Sequence, residues 1–355
     1  MSRVWDIPVH DSTRVRDVRV AAEEAGARAG LDPHRVAVAA LVATELATNL
    51  VKHADGGRIV INLVERPGAD APVPSVQLVS LDHGPGITDV EAALRDGHTT
   101  APASLGAGLG TCLRISSDFD LYSVRGRGTV AIARIDRTAA PRNAAPLPCP
   151  RVGGVNIPLA QAEHSGDAWS WVRTPTHLTL MLADGLGHGA KAAQASGAAV
   201  EELHRTGHLT PVEILRHLNT ALRPTRGAAV AIAKMDMDTD QLQFAGIGNI
   251  GARLHSDGAW QPLVSRPGIV GSQFPAAVPQ QRLPWRPDSL LVLHSDGLPS
   301  RWTPPADPRL LHHDPAVVAA AVLRDASSAA RPVRDDTSVA VLAPDSRTCA
   351  HDRRP

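Results

Sequence analysis

Two groups of residues in this 355-residue chain have the types and spacing to handle phosphate. In the first group, Glu45 and Asn49 stand four residues apart in an apolar-periodic run with Leu41, Leu46 and Leu50. On a helix they share one face, a turn apart. A carboxylate and an amide so placed could hold a hydrated metal ion, or a water, against phosphates. They could equally be part of a solvated face. Next comes Leu81-Asp82-His83-Gly84-Pro85-Gly86-Ile87, at the end of an apolar run. An aspartate at a strand end can accept a hydrogen bond from an exocyclic amine, and glycines let backbone approach a ligand closely. A plain turn explains this motif as well. Then Ser104-Leu105-Gly106-Ala107-Gly108-Leu109-Gly110 runs into a helical pattern. Glycines that lead backbone N–H groups into a helix start make an anion site, although many glycine-rich loops are only flexible turns.

The second group is acidic. Ser165-Gly166-Asp167, Ala183-Asp184-Gly185-Leu186-Gly187-His188-Gly189, His294-Ser295-Asp296-Gly297 and Asp335-Asp336-Thr337 all lie at the edges of short apolar runs or beside glycine. Carboxylate oxygens are the hard ligands that Mg²⁺ or Mn²⁺ prefers. Four of them at the mouth of a sandwich could hold two such ions and a water between them, acidic enough to attack a phosphoester near neutral pH. Taken singly, Asp-Gly is a frequent turn, Asp-Asp is a common surface pair, and His188 could be structural.

The elements that must position these residues read as follows. Thr13–Gly30 is a helical pattern ending on glycine. Asp32-Pro33 offers an N-cap and a first-turn proline to a second helix that runs to Ala54. RIVINLVE and SVQLVSLD are strands, a helix spans about Leu109–Ser117, and FDLYSV with GTVAIARI forms a hairpin around Arg125–Arg127. This predicts helices on one face of a mostly antiparallel sheet, an α+β arrangement. Asp136–Pro150, rich in Pro and Ala, reads as a linker. Beyond it HLTLMLAD, GAAVAIAKMD, QLQFAGIG, SLLVLHSD and TSVAVLA are strands. Helices are predicted at about Ala190–Thr206, Pro211–Ala221 and Pro315–Ala326, the last capped by Asp314. The polar end from about Pro344 is expected to fray.

Composition limits the function classes. Hydrophobic residues are 43% and charged residues 20%, a globular balance, and with 3% aromatics the cores must be built from Leu, Val, Ile and Ala. Lys+Arg and Asp+Glu are 36 each. A zero net charge argues against nucleic acid or an anionic membrane as the main partner. Cys112, Cys149 and Cys349 are dispersed, which disfavours a zinc site or a disulfide framework. With no apolar signal core and no run long enough to span a bilayer, a cytoplasmic protein is expected.

In the first part of the chain, ATELATNLVKHA, LDHGPGI, SLGAGLGTCLRISSDF and GRGT occur in that order and cover nearly all of residues 1–136. It resembles the GHKL ATPases, in particular their anti-sigma and switch serine-kinase branch. The resemblance implies a Bergerat-type ATP-binding sandwich with ATP and Mg²⁺ as cofactors. It implies Glu45 as general base, Asn49 as the Mg²⁺ ligand, and Asp82 on the adenine amine. Gly84 and Gly86 would shape that pocket, Gly106, Gly108 and Gly110 would cradle phosphates, and Thr129 would lie near the adenine. A short lid is expected at Gly97–Ser104.

In the second part, HSGDAWSWV, LMLADGLGHGAKAAQAS, TRGAAVAIAKMD, FAGIGNI, LLVLHSDGLPSRW and DDTSVAVL cover about 151–342. These resemble the PP2C-like phosphatases of the SpoIIE/RsbX branch, which implies an α/β/β/α sandwich holding two Mn²⁺ or Mg²⁺. By that resemblance Asp184 bridges both metals and Gly185 gives a carbonyl ligand. Asp167, Asp296 and Asp335 complete the set, with Asp335 preferred over Asp336 as first of its pair. The domains expected are thus 1–136 and 151–343, with a linker at 137–150 and a tail at 344–355.

Together these imply a bifunctional enzyme. One domain would transfer phosphate from ATP to a serine or threonine of a partner protein, and the other would hydrolyse such an ester. The resemblance implies a STAS-type antagonist or stress-complex protein as substrate, in partner switching that involves a sigma factor or a downstream phosphatase. Two alternatives stand beside it: a first domain that only binds a partner under nucleotide control, and a scaffold in which neither site works. Glu45 speaks against the former, since a binding module needs no base, and the complete carboxylate set speaks against the latter. No arginine at a fixed motif position offers to grip a substrate phosphate.

Overall fold

The structure, a computed structural model, describes residues 3–66, 73–95, 108–137, 150–299, 302–327 and 335–344. The expected lid at Gly97–Ser104, Gly106, nearly all of the 137–150 linker and nearly all of the 344–355 tail lie outside them. The chain divides into two compact units, Arg3–Pro146 and Leu147–Pro355.

The first unit opens on strand β1 (Trp5–Val9). Asp11 accepts from the Thr13 amide at 2.8 Å and starts α1 (Ser12–Arg28). Asp32 accepts from the Arg35 amide at 2.9 Å ahead of α2 (Pro33–His53), whose first residue is the expected proline. α2 stops where Asp55 and Gly56 turn left-handed (φ 56 and 102) and the Ala54 and Gly56 amides both return to the Leu50 carbonyl. Then follow β2 (Gly57–Arg66), β3 (Val73–Leu81), α3 (Val90–Leu94), α4 (Gly108–Ile115), β4 (Asp118–Val124) and β5 (Gly128–Asp136). The strands form one antiparallel sheet in the order β1-β2-β3-β5-β4. Alternate residues Ile59 and Ile61, Val76 and Leu78, and Ala131, Ala133 and Ile135 face Val18, Ala22, Leu46 and Leu50 of the helices in one core.

Against expectation, α2 is by length and composition apolar enough to cross a bilayer, with a mean hydropathy of 1.2 over its most apolar window. Its apolarity has a use within the fold: the stripe Ala39, Val42, Ala43, Leu46, Ala47 and Leu50 is the helical half of that core.

The second unit contains β6 (Arg151–Ile157), β7 (Asp167–Arg173), β8 (His177–Gly185), α5 (Ala190–Thr206), α6 (Pro211–Ala221), β9 (Ala228–Asp236) and β10 (Gln241–Ile247). It continues with β11 (Gly251–Ser256), β12 (Ala259–Leu263), β13 (Gln281–Pro284), β14 (Leu290–His294), α7 (Pro315–Ala326) and β15 (Thr337–Ala343). Two five-stranded sheets result, β13-β10-β9-β8-β7 and β12-β11-β14-β15-β6. Leu180, Leu182, Ala231, Phe244, Leu291, Leu293 and Leu342 fill the space between the sheets. Each such large side chain contributes about 1.5–3 kcal/mol by leaving water. Met181, Ala183, Val230 and Ile232 alternate with them and pack under Leu203, Ile214, Leu215 and Leu218 of α5 and α6. α7 covers β6 and β15. This is the α/β/β/α sandwich expected.

Five of its strands are not marked by apolar runs. β12 and β13 are short and largely exposed edge strands, and β11 is only half apolar. β7 carries Asp167, Ser170 and Arg173 around its two tryptophans. β6 holds Gly153 and Gly154, a pair that weakens a strand signal. A Cβ there would stand 2.5 Å from the Ala316 nitrogen and 2.7 Å from the Trp169 ring, so glycine is what lets α7 and β7 close on this strand.

Candidate functional sites

In the first unit a cavity of about 510 Å³ opens between α2, the end of β3, α4 and β5. Asn49, Asp82, Gly86, Gly108 and Thr129 all line it. Asp82 is buried, and its Oδ1 accepts from the Gly84 amide at 2.9 Å and the Thr129 amide at 3.0 Å. Its own amide donates to the Thr129 carbonyl at 3.1 Å. The carboxylate is thereby fixed in the cavity wall. Thr129 Oγ1 is 2.9 Å from Ser123 Oγ, which also accepts from the Ile87 amide at 2.8 Å. Gly84 fits because a Cβ would come within 2.7 Å of Ala54 Cα, and Gly86 because a Cβ would lie 2.4 Å from the Val124 carbonyl.

Glu45 does not line this cavity; it stands one helical turn before Asn49, at the cavity's edge. A Cβ on Gly108 would lie 2.9 Å from Glu45 Oε2 and 3.6 Å from Asn49 Oδ1, so the first residue of α4 faces both groups. Asn49 Nδ2 is buried and has no hydrogen-bond partner among the described residues. Because amide N and O can exchange by a flip, either a phosphate or a cation could take up this unmet end. Gly110 is buried within α4 and is not among the cavity-lining residues. Sequence reasoning missed Gly128, one residue before Thr129: with φ +94, a Cβ there would lie 2.1 Å from the Asp82 carbonyl oxygen. The signal was present in GRGT, where the glycine precedes the cavity threonine.

In the second unit the acidic residues gather at strand ends. Asp167 opens β7 directly opposite Asp184, near the end of β8. Asp296 follows β14, Asp335 precedes β15, and those two strands are paired. Burial and the charges of Asp296, Asp335 and Asp336 push Asp184 up to about 7. Burial, then Asp184, holds Asp167 well above the usual carboxylate range. Asp296 is raised by burial and by Asp335, while Asn249 donates to its Oδ2 at 2.6 Å. Both Asp167 oxygens are buried, and the Ser295 and Ser338 hydroxyls near them offset only part of what burial and Asp184 add.

Among the described residues no three His, Cys, Asp or Glu side chains are already closed into a ligand set. A crowded cluster of buried and half-buried carboxylates fits a divalent cation, which would neutralise it and close the set. Gly185 fits tightly: its amide donates to the Gly166 carbonyl at 3.0 Å, and a Cβ would meet the Ala192 carbonyl at 2.1 Å.

Asp336, the second acid of its pair, has a different place. It is buried and accepts from the Leu159 and Gly166 amides, both at 2.8 Å. Asp335 is exposed at the mouth. Sequence spacing alone does not separate the two roles.

Comparison with known proteins decides the family of each half. The histidine kinase-like ATPase domain matches residues 9–135, and stage II sporulation protein E matches residues 174–344. The chain joins a histidine kinase-like ATPase domain to a SpoIIE-type PP2C phosphatase domain. The ATPase domain is 38% identical over 86 residues to the serine/threonine-protein kinase RsbT of Bacillus subtilis, covering 24% of this chain and 61% of the kinase. The phosphatase domain is 29% identical over 136 residues to the phosphoserine phosphatase RsbX of the same organism, covering 38% of this chain and 67% of RsbX. A crystal structure of RsbX in complex with magnesium is similar at 20% identity and a TM-score of 0.47, over 56% of this chain and 96% of that one. The chain thus spans less than two thirds of the kinase relative's length.

Proposed function

We propose that this chain both adds and removes phosphate on serine or threonine of a partner protein. The observation that carries the kinase half is the meeting of Glu45, Asn49 and Gly108 at the edge of a cavity whose far wall holds Asp82. ATP would place its adenine against Asp82 and Thr129 and its phosphates toward the start of α4. Backbone N–H groups at that helix start favour anionic charge. Asn49 would hold Mg²⁺. Glu45 would accept the proton of the incoming seryl hydroxyl as its oxygen bonds to the γ-phosphorus and ADP leaves.

In the phosphatase half, Asp184, the Gly185 carbonyl, Asp167, Asp296 and Asp335 would hold two Mn²⁺ or Mg²⁺. When bound, such ions supply an activated water and shield the charge of the phosphoryl group. Asp336 would keep the Gly166 loop in place while Asn249 orients Asp296. The partner proposed is a STAS-type antagonist or stress-complex protein, following the resemblance of both halves to partner-switching enzymes. In the direct test of this half, Mn²⁺-loaded protein should release phosphate from a phosphoserine protein, and Asp184→Ala should not. Near wild-type turnover in the variant rejects the site.

A second reading has an observation in its favour: Glu45 does not line the cavity. In that reading the ATPase domain is a nucleotide-gated partner-binding module, and only the second domain is catalytic.

A further inference from the structure

β8 and β9 stay paired to their ends, with Gly185 opposite Ala228. One step further the Leu186 amide donates to the Gly227 carbonyl at 3.0 Å. This pairing carries Arg226, which lies outside the acidic motifs, alongside the loop that follows Asp184. Gly187 in that loop is left-handed (φ +84), and a Cβ on it would stand 2.9 Å from Arg226 Nη1. The guanidinium therefore lies close to the loop, and the left-handed dihedral is what favours glycine at 187. Arg226 is exposed, and among the described residues it pairs with no carboxylate. An unpaired guanidinium beside so acidic a site calls for a use.

Charge suggests one. The site's four aspartates, once ionised, are balanced by two divalent cations. A phosphomonoester dianion then enters with no positive charge left to meet it. Guanidinium is planar, permanently charged and offers two parallel donors to phosphate oxygens. Leu186, an exposed apolar side chain in the same loop, gives a protein substrate something to rest on beside it. We propose that Arg226 anchors the substrate phosphate, gripping the phosphoryl group of a phosphoserine or phosphothreonine segment across Gly187. This rests on the phosphatase reading above. Lys191, exposed in the first turn of α5, is the other cation close to this loop in sequence and is the natural comparison.

The test uses full-length, Mg²⁺-loaded protein and two readouts: calorimetric binding of inorganic phosphate, and KM and kcat on a phosphoserine peptide. Arg226→Ala should weaken phosphate binding and raise KM by about ten- to hundredfold, the worth of hydrogen bonds to a charged group. Mg²⁺ affinity should not change. Arg226→Lys should recover part of the loss, Gly187→Ala should reproduce it, and Lys191→Ala should stay within about twofold of wild type. Unchanged phosphate affinity and KM in Arg226→Ala overturn the proposal, as does a loss in Lys191→Ala in its place. Phosphate binding is read without turnover. A wild type that binds phosphate through Arg226 but hydrolyses nothing rejects the phosphatase reading and keeps the anchor. A wild type that binds no phosphate rejects the anchor.

Discussion

Asp184→Asn should make the metal-free protein more stable while destroying its metal response. Asp184 is raised from 3.8 to about 7 by burial and by the charges of Asp296, Asp335 and Asp336. A carboxyl whose folded pKa is raised binds more protons folded than unfolded between those values. Its contribution is therefore fully present below about pH 4 and is lost as pH rises through about 7. Roughly three pK units correspond to about 4 kcal/mol, and partial solvent access reduces that to about 2–4 kcal/mol. Asparagine keeps the shape without the charge. For a domain of this size the gain corresponds to roughly 5–15 °C in Tm. Calorimetry on EDTA-treated protein should show variant and wild type melting together only at about pH 3.5 or below, and the variant melting progressively higher as pH rises to about 8. Added Mn²⁺ should reverse the order at pH 8, because only wild type gains binding free energy. An equal Tm at pH 8 without metal, or an equal rise with metal, refutes the reasoning.

Three further outcomes follow from the two sites. Asp82→Asn should weaken ATP and ADP alike by about tenfold or more, since the proposed contact is to adenine; unchanged ADP affinity by calorimetry removes Asp82 from the site. Asp336→Ala frees the Leu159 and Gly166 amides and should cost about 2–4 kcal/mol in denaturant unfolding, with a loss of phosphatase activity that excess metal does not restore. Activity restored by added metal would instead make Asp336 a ligand. Cys112, buried in the helix–sheet core with its thiol pushed up to about 12 by burial and by Glu45, should resist Ellman's reagent until the ATPase domain unfolds. Rapid labelling of Cys112 in native protein would contradict its packing.

Much of this was legible in the sequence because the chemistry sits where local rules are strictest. Asp32 and Asp314 cap helices as their spacing predicts, and Asp11 adds a cap the sequence reading did not name. The paired ends of β7 with β8 and of β14 with β15 bring Asp167, Asp184, Asp296 and Asp335 to strand ends, as the apolar runs beside Asp184, Asp296 and Asp335 suggest, while β7 gives no such run for Asp167. The rest depends on which residues meet across the fold. β12 and β13 are exposed edges with no apolar alternation to find. Asp335 and Asp336 are alike in sequence, and only burial gives one to the mouth and the other to two backbone amides. Gly128 and Gly187 look like ordinary turn glycines until their neighbours, Asp82 and Arg226, are in place.

The central claim is that one chain writes and erases the same kind of mark. The most direct measurement follows label from γ-³²P-ATP onto a STAS-type protein from the same genome. The phosphatase is disabled by Asp184→Ala, so that product cannot be erased. Label should accumulate on a serine or threonine of the partner. It should be nearly absent when Glu45→Ala is added, with ATP binding retained, because loss of a general base costs on the order of 10²–10⁴-fold in rate. Mn²⁺-loaded wild type should then strip the label from the purified product. If the Asp184→Ala protein binds ATP and transfers no label to any such partner, the kinase half of the account is wrong and the ATPase domain is a binding module.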